Sequence, residues 1–377
     1  MSEKAIAPPR EYDWFILLLA VFLTAVGVVM VYSSSAEMAD TLKRYRGDDL
    51  YFLKRQASYA AIGSLVMIVT MRIDYKKLRR FAVPGLMICL LLLIAVFIPG
   101  LGSKAGGASR WLNIGINLQP VELAKIALIL YMAHSLTKKQ DKVKNFKLGV
   151  LPYMIVVGGI LVLLLLQPDL GSAMTLVAVA AAMLFVAGMR YQHIASLFAI
   201  LLPPFILLIA TSSYRMKRIS AFFDPWQDPT DKGLQIIQSW IAIGSGGFFG
   251  KGLGEGRQKL FYLPEAHTDF ILSVIGEEMG FIGFIVIVVC VYFLFRRGMH
   301  TAFTAPDDFG RYLAFGITFL LAFEAAFNMC VVLGLVPTKG LALPFISYGG
   351  SSLICTLGAI GILLNVSSQT QIKAVQP

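Results

Sequence analysis

The segment LPEAHTDFILSVIGEEMG, residues 263–280, carries a carboxylate in the position of a general base. Asp269 stands where a long loop enters an apolar run, and partial desolvation at such a boundary raises the pKa of a carboxyl group towards neutrality. The plainer interpretation makes Thr268 or Asp269 the N-cap of a helix. His267 is a weaker candidate, because a lone histidine in a loop is more often a packing residue. The segment therefore offers one carboxylate suited to taking a proton from a substrate hydroxyl.

Further ionisable residues stand inside apolar runs, where a charge is costly in a bilayer and marks a candidate functional residue. Glu122 and Lys125 are three residues apart, share one helix face and can form an ion pair. Two interpretations of this pair stay open: a structural ion pair between helices and a substrate-binding site. Glu324, in LLAFEAAFN, is more simply explained as a carboxylate that a neighbouring helix satisfies. Asp169, in QPDLGS, suits a turn and a helix N-cap, with the lining of a polar cavity as the alternative.

Cations near glycines indicate contact with phosphate. Lys339 lies shortly before Gly349-Gly350, which open an apolar run, and free N–H groups at a helix N-terminus bind phosphate. A re-entrant packing turn is the alternative there. Arg110 is a second phosphate contact or an anchor at the membrane interface. The glycine-rich segment 244–256 forms either a flexible surface loop or a backbone nest for an anionic headgroup.

The composition identifies lipid as the main solvent of the elements that carry these residues. Of 377 residues, 57% are hydrophobic and 15% are charged, and the mean hydropathy is +0.73. Ordinary soluble domains have about 45–50% apolar and about 25% charged residues, so a disordered chain, a collagen-like repeat and a small disulfide scaffold are excluded. The net charge of +11 comes from loops between apolar runs, which indicates anionic lipid, anionic substrate and membrane topology rather than nucleic acid. The four cysteines lie within apolar runs without a CxxC pattern, so neither a zinc site nor a disulfide framework is expected.

The apolar runs predict an all-α polytopic membrane protein with about ten transmembrane helices, since each run approaches the roughly 20 residues that span a bilayer. Five Lys or Arg in each of the loops 72–80 and 137–148 place these loops, and both termini, in the cytoplasm. One domain covers residues 1–377, with a core of about 11–370 and a large extracytoplasmic loop at 213–268 between helices 7 and 8. The predicted spans are about 14–34, 56–72, 81–99, 119–136, 149–167, 171–188, 194–212, 269–295, 312–334 and 350–366.

The candidate residues map to one side of this predicted bundle, whereas the cytoplasmic side offers only basic loops. In the large outer loop, apolar residues at helical spacing over 231–243 predict a short helix that lies in the membrane interface. The sequence therefore predicts an outward-facing site that mixes cations with carboxylates and suits an anionic, lipid-linked substrate. The residues of the outer half or outer loops are Arg110, Glu122, Lys125, Asp169, Asp269 and Lys339.

Several long motifs, in order along the chain, make it resemble the SEDS family (shape, elongation, division and sporulation) of bacterial peptidoglycan polymerases. The resemblance covers nearly all of residues 10–370. The motif QKLFYLPEAHTDF is more similar to the division branch, FtsW, than to the elongation branch, RodA. The sporulation protein SpoVE is a further relative. The motifs are RWLNIGINLQPVELAKI, QPDLGSA, FFDPWQDP, GLQIIQSWIAIGSGGFFGKGLGEGRQKLFYLPEAHTDFI, GEEMGFIG and TKGLALPFISYGGSS.

The resemblance implies glycosyl transfer at the outer face of the bacterial cytoplasmic membrane, at the division site. The growing lipid-linked glycan is then the donor, and lipid II, a disaccharide-pentapeptide on undecaprenyl diphosphate, is the acceptor. Asp269 matches the family's catalytic aspartate and would deprotonate the 4-hydroxyl of the acceptor GlcNAc. The resemblance also implies a divalent cation, Mg²⁺ or Mn²⁺, with unassigned ligands, that assists the leaving diphosphate. A cognate class B penicillin-binding protein and other division proteins are the implied partners.

The resemblance also suggests roles for the other polar residues. Lys339, Arg110 and Lys125 would stabilise the charge of the diphosphate, and Glu122 would position Lys125. The predicted substrate-binding residues are Arg110, Glu122, Lys125, Asp169, His267 and Lys339.

Two other functions stay open at this point. A lipid II flippase or other lipid transporter also explains intramembrane charges, but it requires a path from the inner side and predicts that an Asp269→Asn variant still moves lipid II. A non-catalytic scaffold of the division machinery would tolerate changes at both Asp269 and Lys339.

Overall fold

Long helices and one small sheet make up the computed structural model of this chain. The helices begin where side chains or ring geometry suit the first turn. The carboxylate of Asp307 accepts the N–H of Gly310 at 2.7 Å, and Pro120 stands at the first helical position of its helix. The structure describes residues 11–41, 48–105, 108–113, 117–139, 142–211, 213–230, 233–260 and 262–375.

The helices are numbered in chain order. A 3₁₀ turn at Arg79–Phe81 joins α3 to α4, a π-helical turn at Phe146–Val150 precedes α6, and a 3₁₀ turn at Pro225–Gln227 lies between α9 and α10. The α-helices are α1 (Trp14–Thr41), α2 (Tyr51–Arg72), α3 (Tyr75–Leu78), α4 (Ala82–Ala95), α5 (Pro120–Lys138), α6 (Leu151–Leu166), α7 (Leu170–Val186), α8 (Tyr191–Ala210), α9 (Ser213–Phe223), α10 (Leu234–Gly246), α11 (Ile271–Thr304), α12 (Asp308–Val332) and α13 (Gly350–Val375).

Each apolar run that was predicted to span the membrane overlaps a helix, but α4, α6 and α7 have only 14, 16 and 17 residues. The count of about ten spans therefore stays a prediction. In the described part of the chain, six helical segments have both the length and the apolar composition to cross a membrane, and α7 is a shorter apolar helix. Helix α10 confirms the short helix predicted near 231–243. These segments make the chain a multi-pass membrane protein.

Helices α5, α12 and α13 occupy the centre of the bundle. Helix α13 packs along α2, while α12 lies against α5, α7 and α11. Large apolar side chains of the outer helices point away from the protein, as for Leu18 of α1, Leu91 of α4 and Ile155 of α6, which are 64%, 63% and 67% exposed. Because lipid tails are as apolar as these side chains, this surface suits a bilayer rather than water.

A small antiparallel sheet, which the all-α prediction did not include, connects α4 to α5. Its strands are β1 (Gly102–Ala105), β2 (Ala108–Asn113) and β3 (Asn117–Leu118), with β2 in the middle. Leu112 of β2 is buried. The connection is too short to form a further long helix, and strand pairing satisfies its backbone polar groups. The sheet holds Arg110 at the end of the bundle where α5 begins.

Gly280 interrupts α11 without ending it. Its φ of 68° and ψ of −164° are strained for any residue with a Cβ. The break releases backbone groups that pair with the glycine-rich segment. The N–H of Phe281 donates to the carbonyl of Gly247 at 2.9 Å, and the N–H of Lys251 donates to the carbonyl of Glu277 at 3.0 Å. The glycine-rich segment therefore packs along α11 instead of forming a free surface loop.

The glycine-rich segment does form a backbone nest, and two carboxylates of α11 occupy it. The Glu277 carboxylate accepts the N–H of Arg257 at 3.0 Å and pairs with Lys251 at 2.7 Å. Glu278 pairs with Lys259, also at 2.7 Å, and both glutamates are buried. Lys251 of the segment and Lys259, three residues after the segment, are thus neutralised by the protein itself, which argues against an anionic headgroup in this nest.

Candidate active site

Asp269 lies directly before α11 and faces the loop that joins α12 to α13. Its side chain is half-buried. Its Oδ2 lies 3.2 Å from the position that a Cβ on Gly340 would occupy, so the loop backbone passes close beside it. No residue in the described part of the chain donates a hydrogen bond to the carboxylate, so both oxygens can accept a proton from a bound molecule.

The surroundings of Asp269 raise its pKa to about 7. Burial is the main cause, and the negative charges of Glu265 and Asp169 act in the same direction, whereas the positive charges of Arg218 and Arg110 oppose it. A general base with a pKa near the working pH is ionised in a useful fraction and still basic. The direction and the main cause are those expected from the sequence.

Two arginines from distant parts of the chain flank this carboxylate. Arg110 of β2 donates to the backbone carbonyl of Pro168 at 2.5 Å. Arg218 of α9 donates from Nη1 to the carbonyl of Thr338 at 3.0 Å. Backbone carbonyls therefore hold both guanidinium groups where their positive charges act on Asp269, and guanidinium groups suit a phosphate or diphosphate ligand.

Arg218 is absent from the substrate-binding residues that the sequence predicts. It stands in a basic stretch of the large outer loop, and nothing in its local spacing relates it to Asp269. Only the packing of α9 against the loop between α12 and α13 brings the two together.

Asp169 is the N-cap of α7. Its carboxylate accepts the N–H of Ser172 at 3.2 Å and the hydroxyl of the same residue at 2.9 Å, and the side chain is buried. The turn and N-cap interpretation is therefore confirmed. The same charge lies close enough to raise the pKa of Asp269, so substrate binding by Asp169 stays a prediction.

Lys339 and His267 lie on loops beside Asp269. The Nζ of Lys339 lies 2.8 Å from the Sδ of Met174 on α7. The ring of His267 packs against Phe52 and Tyr348, with centroid separations of 4.9 and 5.7 Å, and burial lowers the pKa of the imidazole. His267 has the contacts of a neutral packing residue, and substrate binding by either side chain stays a prediction.

Glu122 and Lys125 form an ion pair at the centre of the bundle, and Glu324 completes the cluster. The Nζ of Lys125 lies 2.8 Å from Oε2 of Glu122 and 2.5 Å from Oε1 of Glu324. The Lys125 side chain is only 4% exposed. The predicted pairing is confirmed, and so is the satisfaction of Glu324 by a neighbouring helix. The cluster joins α5 to α12, while a role of Glu122 and Lys125 in substrate binding stays a prediction.

Asn328 connects Asp269 to the loop that follows α12. The side chain is buried, and its Nδ2 donates to the backbone carbonyls of Asp269 and Leu341, both at 2.8 Å. Sequence reasoning missed this residue. The available signal was a second polar side chain, one helical turn after Glu324 in the same apolar run.

The carboxylates around Asp269 do not form a protein cage for a divalent cation. Among the described residues, no three Asp, Glu, His or Cys side chains lie close enough together to hold a metal ion. Asp169 caps α7, and Glu265 accepts the hydroxyl of Thr268 at 2.8 Å. A cation such as Mg²⁺ would therefore need most of its oxygen ligands from water and substrate phosphate, and no step is attributed to it.

Known proteins are similar to this chain over nearly its whole length. A protein of Geobacter metallireducens named "Probable peptidoglycan glycosyltransferase FtsW" is 59% identical, with 96% of each chain covered. Stage V sporulation protein E of Bacillus subtilis is 42% identical over 97% of this chain and 99% of its own length.

Solved structures are also similar to this chain over nearly its whole length. A chain from a peptidoglycan synthase complex that coordinates polymerization and crosslinking is 30% identical, with a TM-score of 0.78 over 97% of this chain and 99% of that one. The rod shape determining protein RodA of Thermus thermophilus is 29% identical, with a TM-score of 0.70 over 94% and 96%. The family model described as "Cell cycle protein" matches residues 13–372. The chain therefore belongs to the FtsW/RodA/SpoVE family of cell cycle proteins.

Proposed function

We propose that this chain is a peptidoglycan glycosyltransferase that polymerises lipid II into glycan strands during cell division and releases undecaprenyl diphosphate. The observation that carries the proposal is the half-buried Asp269 carboxylate, which has a pKa of about 7 and feels the positive charges of Arg110 and Arg218. The names of full-length relatives at 57% and 59% identity describe the same activity.

The reaction needs a base and a stabiliser of negative charge, and the site supplies both. Asp269 takes the proton of the 4-hydroxyl of the acceptor GlcNAc. The oxygen then forms a bond to the anomeric carbon of the lipid-linked donor glycan, and the bond from that carbon to the donor's diphosphate oxygen breaks. The leaving undecaprenyl diphosphate retains the electron pair, and the guanidinium groups of Arg110 and Arg218 stabilise its charge.

Other polar residues add to the positive charge around this reaction. Lys339 adds a cation on the loop that passes Asp269, and Glu122 holds Lys125 in the buried cluster. A divalent cation, when present, would bind chiefly through the oxygens of the substrate's diphosphate and add positive charge there.

The partners and the location follow from the same proposal. Lipid II and the growing glycan reach the site from the outer leaflet of the bacterial cytoplasmic membrane, at the division site. A cognate class B penicillin-binding protein would crosslink the product, and the likeness to a synthase complex that coordinates polymerization with crosslinking supports this partner. Other division proteins would bring the pair to the septum.

The proposal is tested with the purified full chain and its cognate penicillin-binding protein, reconstituted in proteoliposomes with lipid II. We expect glycan strands on a gel from the unaltered protein and none from an Asp269→Ala variant that retains its thermal unfolding temperature. Polymer formation by that variant would contradict the proposal. Lipid II movement across the bilayer in both proteins, without polymer in either, would favour the flippase.

Asn328 provides a test of how the base is positioned. Because its side chain holds the backbone of Asp269, we expect Asn328→Ala to lower kcat by about 10- to 100-fold with little change in KM. The loss of buried hydrogen bonds is also expected to reduce stability by about 1–3 kcal/mol. Steady-state kinetics with lipid II and thermal unfolding measure both effects.

Asn365 is the matched control for Asn328. It is also buried, on α13, where its Oδ1 accepts the N–H of Tyr75 at 2.9 Å and its Nδ2 donates to the carbonyl of Met71 at 2.6 Å. This site lies at the other end of the bundle. Asn365→Ala should cost similar stability and leave kcat unchanged. Equal losses of kcat in the two variants would show that Asn328 acts only through general stability.

A further inference from the structure

We propose that Arg55, together with Tyr51, Tyr59 and Tyr348, forms a second anion-binding patch that takes the diphosphate of the acceptor lipid II. This inference rests on the proposed polymerase function, because that reaction requires two lipid-linked molecules to be bound at once. It assigns the acceptor's phosphate subsite to residues on α2 and on the loop before α13.

The guanidinium of Arg55 is both exposed and held in place. Its central carbon lies 4.7 Å from the ring centroid of Tyr51, one helical turn earlier on α2. The Tyr348 hydroxyl is a hydrogen-bond partner of the guanidinium, and Tyr59 lies near it. Each tyrosine is half-buried, whereas the Arg55 side chain is exposed. A ligand therefore meets a cation whose position is already restricted, which reduces the entropy lost on binding.

The charge of Arg55 is not neutralised by a carboxylate in the described part of the chain. The neighbouring Lys54 differs, because its Nζ pairs with the carboxylate of Asp48 at 2.9 Å. Arg55 also stands near the N-terminus of α2, where the helix dipole favours an anion. A guanidinium in this setting binds phosphate oxygens in pairs, and tyrosine hydroxyls can donate to further oxygens.

The patch is tied directly to the segment that carries Asp269. The N–H of Tyr348 donates to the carbonyl of His267 at 2.9 Å. The hydroxyl of Ser347 donates to the carbonyl of Thr268 at 2.6 Å. The ring of Phe52, on the same helix as Arg55, packs against the ring of His267. Arg55 is therefore placed relative to the general base by contacts to the two residues that precede it.

The chemistry of the substrates distinguishes the two cation sets. The donor's diphosphate is attached to the carbon under attack, so it must lie beside Asp269, where Arg110 and Arg218 are. The acceptor's diphosphate is separated from its reacting 4-hydroxyl by the whole disaccharide. The acceptor therefore needs a second cation away from the base. Arg55 is suited to this role because Tyr348, which contacts it, is hydrogen-bonded to His267, two residues before Asp269.

The test compares Arg55→Gln with Lys54→Gln in the full chain, reconstituted with its penicillin-binding protein. Lys54 is the matched control, because it is adjacent and cationic but already paired with Asp48. We expect Arg55→Gln to raise the KM for lipid II about tenfold with kcat nearly unchanged, and Arg55→Lys to recover part of the loss. Lys54→Gln should leave both constants as they are. Equal KM values for the two glutamine variants would overturn the inference.

A separate measurement of lipid II binding, called the binding arm, tests Arg55 without catalytic turnover. In the Asp269→Asn background, fluorescent lipid II should bind Arg55→Gln about tenfold more weakly than Lys54→Gln. The measurement is made in nanodiscs of phosphatidylcholine alone and with added phosphatidylglycerol. A difference seen only with phosphatidylglycerol would assign the patch to membrane headgroups and overturn the inference. If the unaltered protein makes no glycan, the polymerase proposal fails, and the binding arm still decides whether Arg55 holds a lipid-linked diphosphate.

Discussion

Replacing Asp269 by asparagine is expected to lower kcat for lipid II polymerisation by about 10²–10⁴-fold, the range that a positioned general base contributes. The amide has nearly the same shape but cannot take the proton of the acceptor hydroxyl. Lipid II binding should persist, because the arginines proposed to hold the diphosphate are unchanged. Single-turnover polymerisation and a binding measurement on the same preparation separate the two effects.

The pH dependence of the polymerisation rate tests the role of Asp269 more specifically. Because the pKa of Asp269 is raised to about 7, the carboxylate is mostly protonated at about pH 6 and mostly ionised at about pH 8. The rate should therefore rise with pH through about 7 and level off above it. Glu265→Gln removes a charge that raises this pKa and should shift the midpoint to lower pH, whereas Arg218→Gln should shift it to higher pH.

Stability provides the control for Asp269→Asn. A carboxyl group whose pKa is higher in the folded state than in the unfolded chain makes the fold less stable as pH rises from the unfolded pKa, near 4, to the folded pKa, near 7. The asparagine variant lacks this penalty, so its unfolding temperature at about pH 8 should equal or exceed that of the unaltered protein. An inactive variant with a clearly lower unfolding temperature would not support the base assignment, and an unchanged pH midpoint in Glu265→Gln would contradict it.

Replacing Lys125 by methionine is expected to have the largest effect on the fold. Lys125 separates two buried carboxylates, those of Glu122 and Glu324. Its removal leaves two uncompensated acidic groups in the core, and breaking a buried ion pair from one side costs about 3–5 kcal/mol. Thermal unfolding of the purified protein in detergent should show a large drop in the unfolding temperature.

The matched control neutralises the whole cluster. In the triple variant Lys125→Met, Glu122→Gln and Glu324→Gln, no unpaired charge remains, and most of the lost stability should return. A triple variant no more stable than Lys125→Met alone would contradict the electrostatic explanation. If stability returns but polymerisation does not, the cluster has a role in substrate binding as well as in joining α5 to α12.

The helices and contacts that the sequence predicted depend on residues that lie close together along the chain. The apolar runs located the helices of the bundle, because a bilayer requires about 20 apolar residues per span. The i, i+3 spacing of Glu122 and Lys125 predicted their ion pair, and the Asp169 carboxylate had the position of an N-cap. Asp269 was a candidate base from its place at the start of an apolar run and from the motif around it; its raised pKa has the predicted direction, and its catalytic role stays a prediction.

Only the tertiary structure decided which distant residues meet. Arg218 reaches Asp269 because α9 packs on the loop after α12, and Arg55 reaches the same region because α2 lies along α13. The nest of the glycine-rich segment could have taken any anion, and the break at Gly280 lets it bind Glu277 and Glu278 of α11. Such pairings depend on how whole helices pack, and helix packing joins segments whose separation along the chain carries no periodic signal.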